Sequence, residues 1–474
     1  MSKTIAAIST GLTPSGISII RMSGPQAVEI ADRIVRTRKL KTLTEAESHK
    51  LYYGFAYDGE QVLDEVLVSV MRAPHTFTGE DIAEINSHGG MLVAREILDC
   101  LLKNGAVPAE PGEFTKRAFL NGRMDLSRAE AVIGVINAGN EFALKAAAQQ
   151  LKGDVSEKIR NLRNRILDEV SFIEAALDDP EHYDLSGYGD VLLERLQSVS
   201  REIQEMVLRS DDGAILAEGI RTVIAGRPNA GKSSLLNLLA GQEKAIVTEI
   251  AGTTRDILEV PVRMGDISLI LMDTAGLRET EDTVEKIGVE RAKKAIQDAD
   301  LVLYLLDASQ GETEEDREAL KTFSGKKVIV LLNKSDLLKE TEAGNCAADE
   351  VENNQKQESE LSYTEGTVEN HPIGFSVLTR EGLDELRQRI RDLFHASEIM
   401  ENDEILITGA RQKALLSDAL KSVNRAMEGA RNGDSEEFLT VDLMDAYASL
   451  GKMIGEEVED DVINRVFEKF CMGK

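Results

Sequence analysis

Cysteine is scarce: Cys100, Cys346 and Cys471 are the only three in 474 residues. An odd number at wide spacing argues against a disulfide framework and a four-ligand zinc site, and predicts reduced thiols. Positive charge is also short, with 55 Lys+Arg against 84 Asp+Glu and a formal net charge of −29. Phosphate backbones are gripped by clustered Lys and Arg, so a continuous basic groove for RNA is not expected, and any nucleic-acid contact is local or borrowed. No apolar run is long enough to span a bilayer, and Met1 to Gly11 lacks the basic patch and apolar stretch of a secretory signal. A cytoplasmic protein without a membrane segment is expected. The six histidines form no cluster that points to a metal.

The length favours several domains. Residues 1–120 are nearly neutral, with 13 Lys+Arg against 15 Asp+Glu, and stand apart from the acidic remainder. Ile5 to Ile8 and Ile17 to Arg21 bracket a Gly-Pro-rich turn, and Val62 to Val70 reads as another strand, so an α+β domain is predicted over 1–120. Leu151, Val155, Ile159, Leu162, Ile166, Val170 and Ile173 then recur at helical spacing, with Asp154 as a cap. A second helical stretch runs from about Val191 to Leu216. At Ile220 to Ala225 the pattern switches to a short apolar strand, and Ile267 to Met272, Leu301 to Leu306 and Val328 to Leu332 follow in alternation with helices, as in a parallel doubly wound sheet. Helical sequence returns over Ile405 to Asn432 and Val441 to Phe470. Residues 341–371 carry eight acidic residues and one basic with little apolar content, and are expected to be an exposed loop. The predicted fold is therefore multidomain: an α+β N-terminal domain (1–120), an α-helical central domain (121–217 with 398–474), and an inserted α/β P-loop G domain with a Ras-like doubly wound sheet (218–397).

Gly226 to Ser233 reads G-R-P-N-A-G-K-S between a strand and a helix expected near Ser234. Glycines there let backbone N–H groups converge on phosphate oxygens, Lys232 supplies charge to the outer phosphates, and the Ser233 hydroxyl suits Mg²⁺. Asp273-Thr274-Ala275-Gly276 closes the next strand, placing a carboxylate near the Mg²⁺ hydration shell and the Gly276 N–H near the terminal phosphate. Asn333-Lys334-Ser335-Asp336 follows a later strand, where Asp336 can accept two hydrogen bonds from N1 and N2 of guanine. Adenine cannot offer these, so GTP is selected over ATP. Ser376-Val377 adds a backbone contact to the base. Gly252-Thr253-Thr254-Arg255-Asp256 falls at the first switch, where Thr254 can bind Mg²⁺ only while the terminal phosphate is present. The GTP site is thus predicted from Asn229, Ala230, Gly231, Lys232, Ser233 and Ser234, from Thr248, Glu249, Ile250, Ala251, Gly252, Thr253 and Thr254, from Asp273 to Gly276, and from Asn333 to Asp336.

The hydrolytic apparatus departs from many signalling GTPases. Leu277 follows Gly276 where a water-positioning Gln often stands, and it has no polar group. Glu285 fits either activation of the attacking water or a solvated helix face. Asn229 fits either a turn residue or an oxygen ligand that, with carbonyls of Thr248 to Thr253, holds K⁺ where an arginine finger would act.

With Asn229, Leu277 and Glu285 in place, the chain resembles the MnmE (TrmE) family of tRNA uridine-5-carboxymethylaminomethyl modification GTPases. Outside the G domain the resemblance rests on Phe77-Thr78-Gly79-Glu80-Asp81, on Pro111-Gly112-Glu113-Phe114 running to Asn121-Gly122-Arg123-Met124-Asp125-Leu126, and on Phe470-Cys471-Met472-Gly473-Lys474. It implies a homodimeric, K⁺-stimulated GTPase that forms a heterotetramer with the FAD-containing protein MnmG and acts with it on the wobble uridine of tRNA, bound mainly through the partner. It also implies an N-terminal domain that dimerises and binds a 5-formyl or 5,10-methylene tetrahydrofolate at positions matching Arg21, Glu84, Arg123 and Lys474. Arg123 stands where the family commonly has Lys, which keeps the charge and changes the contact geometry. The K⁺ ligands map onto Asn229, Thr248, Ile250 and Thr253, the Mg²⁺ ligands onto Ser233 and Thr254, and the catalytic glutamate onto Glu285. Cys471 lies in the tail expected near the modification site, and a catalytic and a buried structural role both stand for it. Cys100 is expected in the core, and His88 in a turn or beside the folate. A regulatory ribosome-assembly GTPase is the alternative, disfavoured by the near-neutral N-terminal segment.

Overall fold

The computed structural model describes residues 3–183, 185, 187–241, 259–272, 295–337, 371–394, 406–456, 458, 460–468, 470 and 473. By its contacts the chain divides into two compact units, one of residues 1–136, 150–200 and 415–474, the other of 137–149 and 201–414.

The first unit begins with a seven-stranded sheet in the order β3-β4-β5-β6-β2-β1-β7. Its strands are β1 (Ile5–Ile8), β2 (Ile17–Ser23), β3 (Val35–Thr37), β4 (Lys50–Asp58), β5 (Gln61–Met71), β6 (Ile82–His88) and β7 (Val107–Pro108). All pairs are antiparallel except β1 with β7. Period-two alternation sorts the side chains. Ala6, Ile20, Met22, Val68, Ala83 and Ile85 face the helices α1 (Ala27–Ile34) and α2 (Met91–Lys103), where they pack with Ile30, Ile97 and Leu101. Their neighbours Ile5 and Ala7 face the other way, onto Phe114 of α3 (Glu113–Leu120). Cys100 is in the α2 core, where burial pushes its thiol pKa up to about 11.

The helical part of this unit contains α4 (Leu126–Asn137), the last residues of α5 (Glu141–Lys152), whose first nine belong to the second unit, α6 (Asp154–Asp178), and the first part of α7 (Tyr188–Glu218), which runs on into the second unit. The apolar stripe of α6 is buried at Val155, Ile159, Leu162, Ile166, Val170 and Ile173. Its N-cap is Gly153 in the left-handed region, with Asp154 as a first-turn acid rather than the cap. The C-terminal helices are α11 (Ala410–Asn432), α12 (Glu436–Ile454) and α13 (Asp460–Phe467). The single helical stretch expected from Val441 to Phe470 is therefore two helices, because Gly455 caps α12 with φ 89°. Arg163 of α6 is buried against α12: its Nε donates to the Tyr447 carbonyl at 3.2 Å, it pairs with Glu456, and its guanidinium stacks 3.9 Å from the Tyr447 ring centroid.

In the second unit a six-stranded sheet runs β13-β12-β11-β8-β10-β9. The strands are β8 (Ile220–Gly226), β9 (Glu259–Met264), β10 (Ile267–Met272), β11 (Leu301–Asp307), β12 (Lys327–Asn333) and β13 (Ile373–Gly374). The central pairs are parallel as expected, but β9 joins β10 antiparallel, a hairpin strand the apolar pattern did not reveal. Every residue of β11 is buried, as in a strand covered on both faces. Leu301, Leu303 and Leu305 pack with Leu235 and Leu239 of α8 (Lys232–Ala240) and with Leu386 and Ile390 of α10 (Leu383–Leu393). Val302, Tyr304 and Leu306 face the opposite layer with Leu320 of α9 (Glu314–Lys321) and Phe323. Among the described residues no helix is long and apolar enough to cross a membrane.

Because Cys100 is buried and its thiolate disfavoured, iodoacetamide at pH 8 should leave it unmodified in the native protein and alkylate it after unfolding in urea. Equal labelling rates in both states, read by peptide mass mapping, would contradict this packing.

Candidate nucleotide site and the N-terminal polar face

Parallel strands deliver their C-terminal ends to one edge of the sheet, and ligands of such folds bind there. The ends of β8 and β12 carry the two described nucleotide motifs to that edge, with β11 between them. After β8 the chain turns through Asn229 (φ 63°) and Gly231 (φ 104°) into α8, which begins at Lys232 rather than near Ser234. Ser233 and Ser234 thus lie in the first helical turn, where backbone N–H groups lack intrahelical partners and favour phosphate. Lys232 Nζ donates to the carbonyls of Gly226 at 2.7 Å and Arg227 at 2.8 Å, and burial lowers its pKa.

Asn333 is 3% exposed and joins the loops at this edge. Its Nδ2 donates to the Ala230 carbonyl at 2.8 Å, and its Oδ1 accepts from the Val377 backbone N–H at 3.3 Å. A Cβ at Gly231 would lie 2.2 Å from that Nδ2, so the close approach requires glycine there. Lys334 sits in the left-handed region and its Nζ bonds Asp307, at the end of β11, at 2.5 Å. Burial disfavours the Asp307 carboxylate, but hydrogen bonds from Lys334 and Ser309 outweigh it and hold the pKa below the usual range. Ser335 donates through both its N–H and its hydroxyl to the Phe375 carbonyl, at 3.1 and 3.0 Å. Asp336 is half-buried in the helical segment that begins at Ser335.

The donor set suits the groups expected here. The Asn229 and Ser233 side chains are exposed, and each carries an oxygen that suits a hard cation. Thr248, Glu249, Ile250, Ala251, Gly252, Thr253, Thr254, Asp273, Thr274, Ala275, Gly276 and Glu285 lie outside the described residues, as do Leu277, Cys346, most of the 341–371 stretch, Cys471 and Lys474.

A second polar site occupies the sheet face of the first unit that α1 and α2 leave uncovered. Arg21 and Glu84 are cross-strand partners of β2 and β6, joined Nε to Oε1 at 2.7 Å, each side chain 19% exposed. The Arg21 guanidinium lies 6.0 and 5.7 Å from the Phe77 and Phe114 ring centroids. Arg123 reaches the same loop, its Nε donating to the Thr76 carbonyl at 2.9 Å. The loop is held by Thr78 Oγ1 to Ser23 Oγ at 2.7 Å, by Asn121 Nδ2 to the Thr78 carbonyl at 2.7 Å, and by Glu80 with Arg117 at 3.0 Å. Gly473 meets the neighbouring strand: Ser9, which extends β1, donates its hydroxyl to the Gly473 carbonyl at 3.0 Å. Gly473 has φ 86°, and a Cβ on it would lie 2.4 Å from the Ile8 carbonyl oxygen. A carboxylate, two guanidiniums and the half-buried Phe77 ring suit a heteroaromatic ligand that carries its own carboxylates; Phe114 is fully buried beneath them.

Comparison with known proteins agrees over the whole chain. A family model described as "GTP-binding protein TrmE N-terminus" matches residues 4–123, and one described as "MnmE helical domain" matches residues 126–471. The tRNA modification GTPase MnmE of Lachnoclostridium phytofermentans is 48% identical over 473 residues, 99% of both chains. Those of Acetivibrio thermocellus and Listeria welshimeri are 45% and 44% identical, also over 99% of each chain. The chain belongs to the MnmE family. Membership makes it a GTPase, with tRNA modification as the family's process. Among solved structures, Era of Aquifex aeolicus bound to GDP·AlF4⁻ is 26% identical, covering 42% of this chain and 65% of that one, with a TM-score of 0.24.

Within this MnmE chain, His88 is not in a turn but ends β6, its Nδ1 2.8 Å from Asp64 and its backbone N–H donating to the same carboxylate, which raises the imidazole pKa. Asp307, Ser9 and the Ser23–Thr78 pair were not identified from sequence. Each acts through a partner distant in the chain, and only the Phe77 to Asp81 motif hinted at one of them.

Asp336→Asn should move nucleotide preference from guanosine toward xanthosine nucleotides, because an amide reverses one of the two acceptor positions. Competition binding reads this directly, and unchanged guanine selectivity would sink the assignment.

Proposed function

We propose that this chain is a K⁺-stimulated, Mg²⁺-dependent GTPase that acts as a homodimer with the flavoprotein MnmG, in a heterotetramer. Its product is an aminomethyl or carboxymethylaminomethyl group at C5 of the tRNA wobble uridine. The observation that carries the reading is the pairing of a GTPase phosphate loop with a separate, aromatic-flanked Arg21–Glu84 face in one chain. A regulator needs only the first of these. In this reading residues 218–397 hydrolyse GTP, residues 1–120 bind folate and dimerise, and residues 121–217 with 398–474 connect them.

In the G domain, Lys232 and the first-turn N–H groups of α8 neutralise and orient the phosphates, and Asp336 reads the base. Ser233 and Thr254 would hold Mg²⁺, which supplies charge on the β- and γ-phosphates. Asn229, with oxygens of Thr248, Ile250 and Thr253, would hold K⁺, which supplies positive charge at the position of an arginine finger, a contribution of about 10³ to 10⁵ in rate when arginine makes it. Since Leu277 cannot orient water, Glu285 does so as general base.

On the N-terminal face, Glu84 accepts from the donor edge of a pterin while Arg21, Arg123 and Lys474 meet its carbonyl and carboxylate groups. Bound tetrahydrofolate, in its 5-formyl or 5,10-methylene form, would supply the one-carbon unit, and FAD in the partner its redox chemistry. In this reading Cys471, two residues before the Gly473 that bonds Ser9, is the tail's candidate catalytic residue. tRNA binding falls mainly to the partner, consistent with the net charge of −29.

Two measurements on the purified chain test the reading. Replacing Na⁺ by K⁺ should raise kcat for GTP hydrolysis by at least about tenfold, and Asn229→Ala should remove the difference. Added 5-formyltetrahydrofolate should raise Tm, as a native-state ligand must, and Glu84→Ala should abolish the shift. Equal rates in the two salts together with an unmoved Tm would favour a regulatory GTPase.

A further inference from the structure

One buried carboxylate of the G domain lies outside every nucleotide motif yet connects directly to the phosphate loop. Asp316, in the first turn of α9, is 0% exposed. A carboxylate in that position normally completes a capping box at the surface, and Asp316 does form one, accepting from the Thr313 backbone N–H at 3.0 Å and its hydroxyl at 2.7 Å. Capping requires no more. Asp316 also accepts from Tyr304 Oη at 2.9 Å and from Arg227 Nε at 3.1 Å. A buried charge persists only when it is paired and hydrogen-bonded, and these donors meet that condition.

Arg227 is the second residue of the phosphate loop. It precedes Pro228, which restricts its backbone to extended conformations. Its side chain is fastened on one side, to Asp316 and, through a terminal nitrogen, to the Gly311 carbonyl at 3.3 Å. Its own carbonyl, with that of Gly226, accepts from Lys232 Nζ. Tyr304 belongs to β11, where it is the register partner of Ala225 in β8, so the same carboxylate is also fixed to the sheet beneath the loop.

We propose that Asp316 is a positioning residue of the GTPase site: by clamping Arg227 it fixes the carbonyls that orient Lys232, and so sets the phosphate-binding shape of the loop. Diphosphate and triphosphate both need that shape, so GDP and GTP affinities depend on Asp316 alike. Base selection rests on Asn333 and Asp336 and does not.

The test uses the full chain, with Kd for a fluorescent GDP and for GTP measured beside Tm. Asp316→Asn keeps the side-chain volume and removes the charge, and should weaken both nucleotides about tenfold or more while the guanine-over-xanthine ratio stays unchanged. Arg227→Ala should match it, Arg227→Lys should recover part of the affinity, and the double variant Asp316→Asn/Arg227→Ala should be no weaker than either single change. If Asp316→Asn does not fold, the half-buried Arg227 variants give the same reading. A lowered Tm with GDP Kd within about twofold of wild type for the variants that fold, or additive losses in the double variant, would reduce Asp316 to a helix cap and overturn the proposal.

Discussion

The hydrogen bond from Asn333 to the Ala230 carbonyl fixes the spacing on which nucleotide recognition depends. It ties the loop that meets phosphate to the loop that reads guanine, and through Oδ1 it adds the loop after β13. The bond exists because β11 separates β8 and β12 by one strand while all three run parallel, bringing two segments about a hundred residues apart to one sheet edge. It also explains a glycine: only a residue without Cβ admits Asn333 beside position 231. Leaving either buried partner unpaired costs about 1–3 kcal/mol, so base and phosphate recognition are coupled through one side chain.

A comparable closure joins the two ends of the chain within the first unit. Gly112 packs against the Phe467 carbonyl and the Phe470 ring, Lys116 bonds Asn464, and Gly473 is seated against Ile8 and Ser9. The described C-terminal residues thereby pack on the N-terminal sheet and α3.

Local patterns in the sequence carried the strands β1, β2, β5, β8, β10, β11 and β12 and the buried stripe of α6, because each is a run whose period matches its geometry. The phosphate and base motifs were legible for the same reason: their chemistry is contiguous. The antiparallel strand β9 was not, since Pro261, which cannot donate to a ladder, interrupts the alternation of Val260, Val262 and Met264. The break at Gly455 was hidden because Ile454, Val458 and Val462 keep helical spacing across it. Asp316, Asp307 and Ser9 were invisible because a polar residue's role is set by a partner dozens to hundreds of positions away, and neither periodicity nor spacing encodes that.

In the proposed function, GTP hydrolysis at the Gly231–Asn333 junction serves tRNA modification. Mass analysis of wobble nucleosides in tRNA from cells with and without this chain tests it most directly. Loss of the C5-substituted uridines on deletion, restored by the wild-type chain and not by Lys232→Ala, is the predicted result. An unchanged nucleoside profile after deletion would contradict the account.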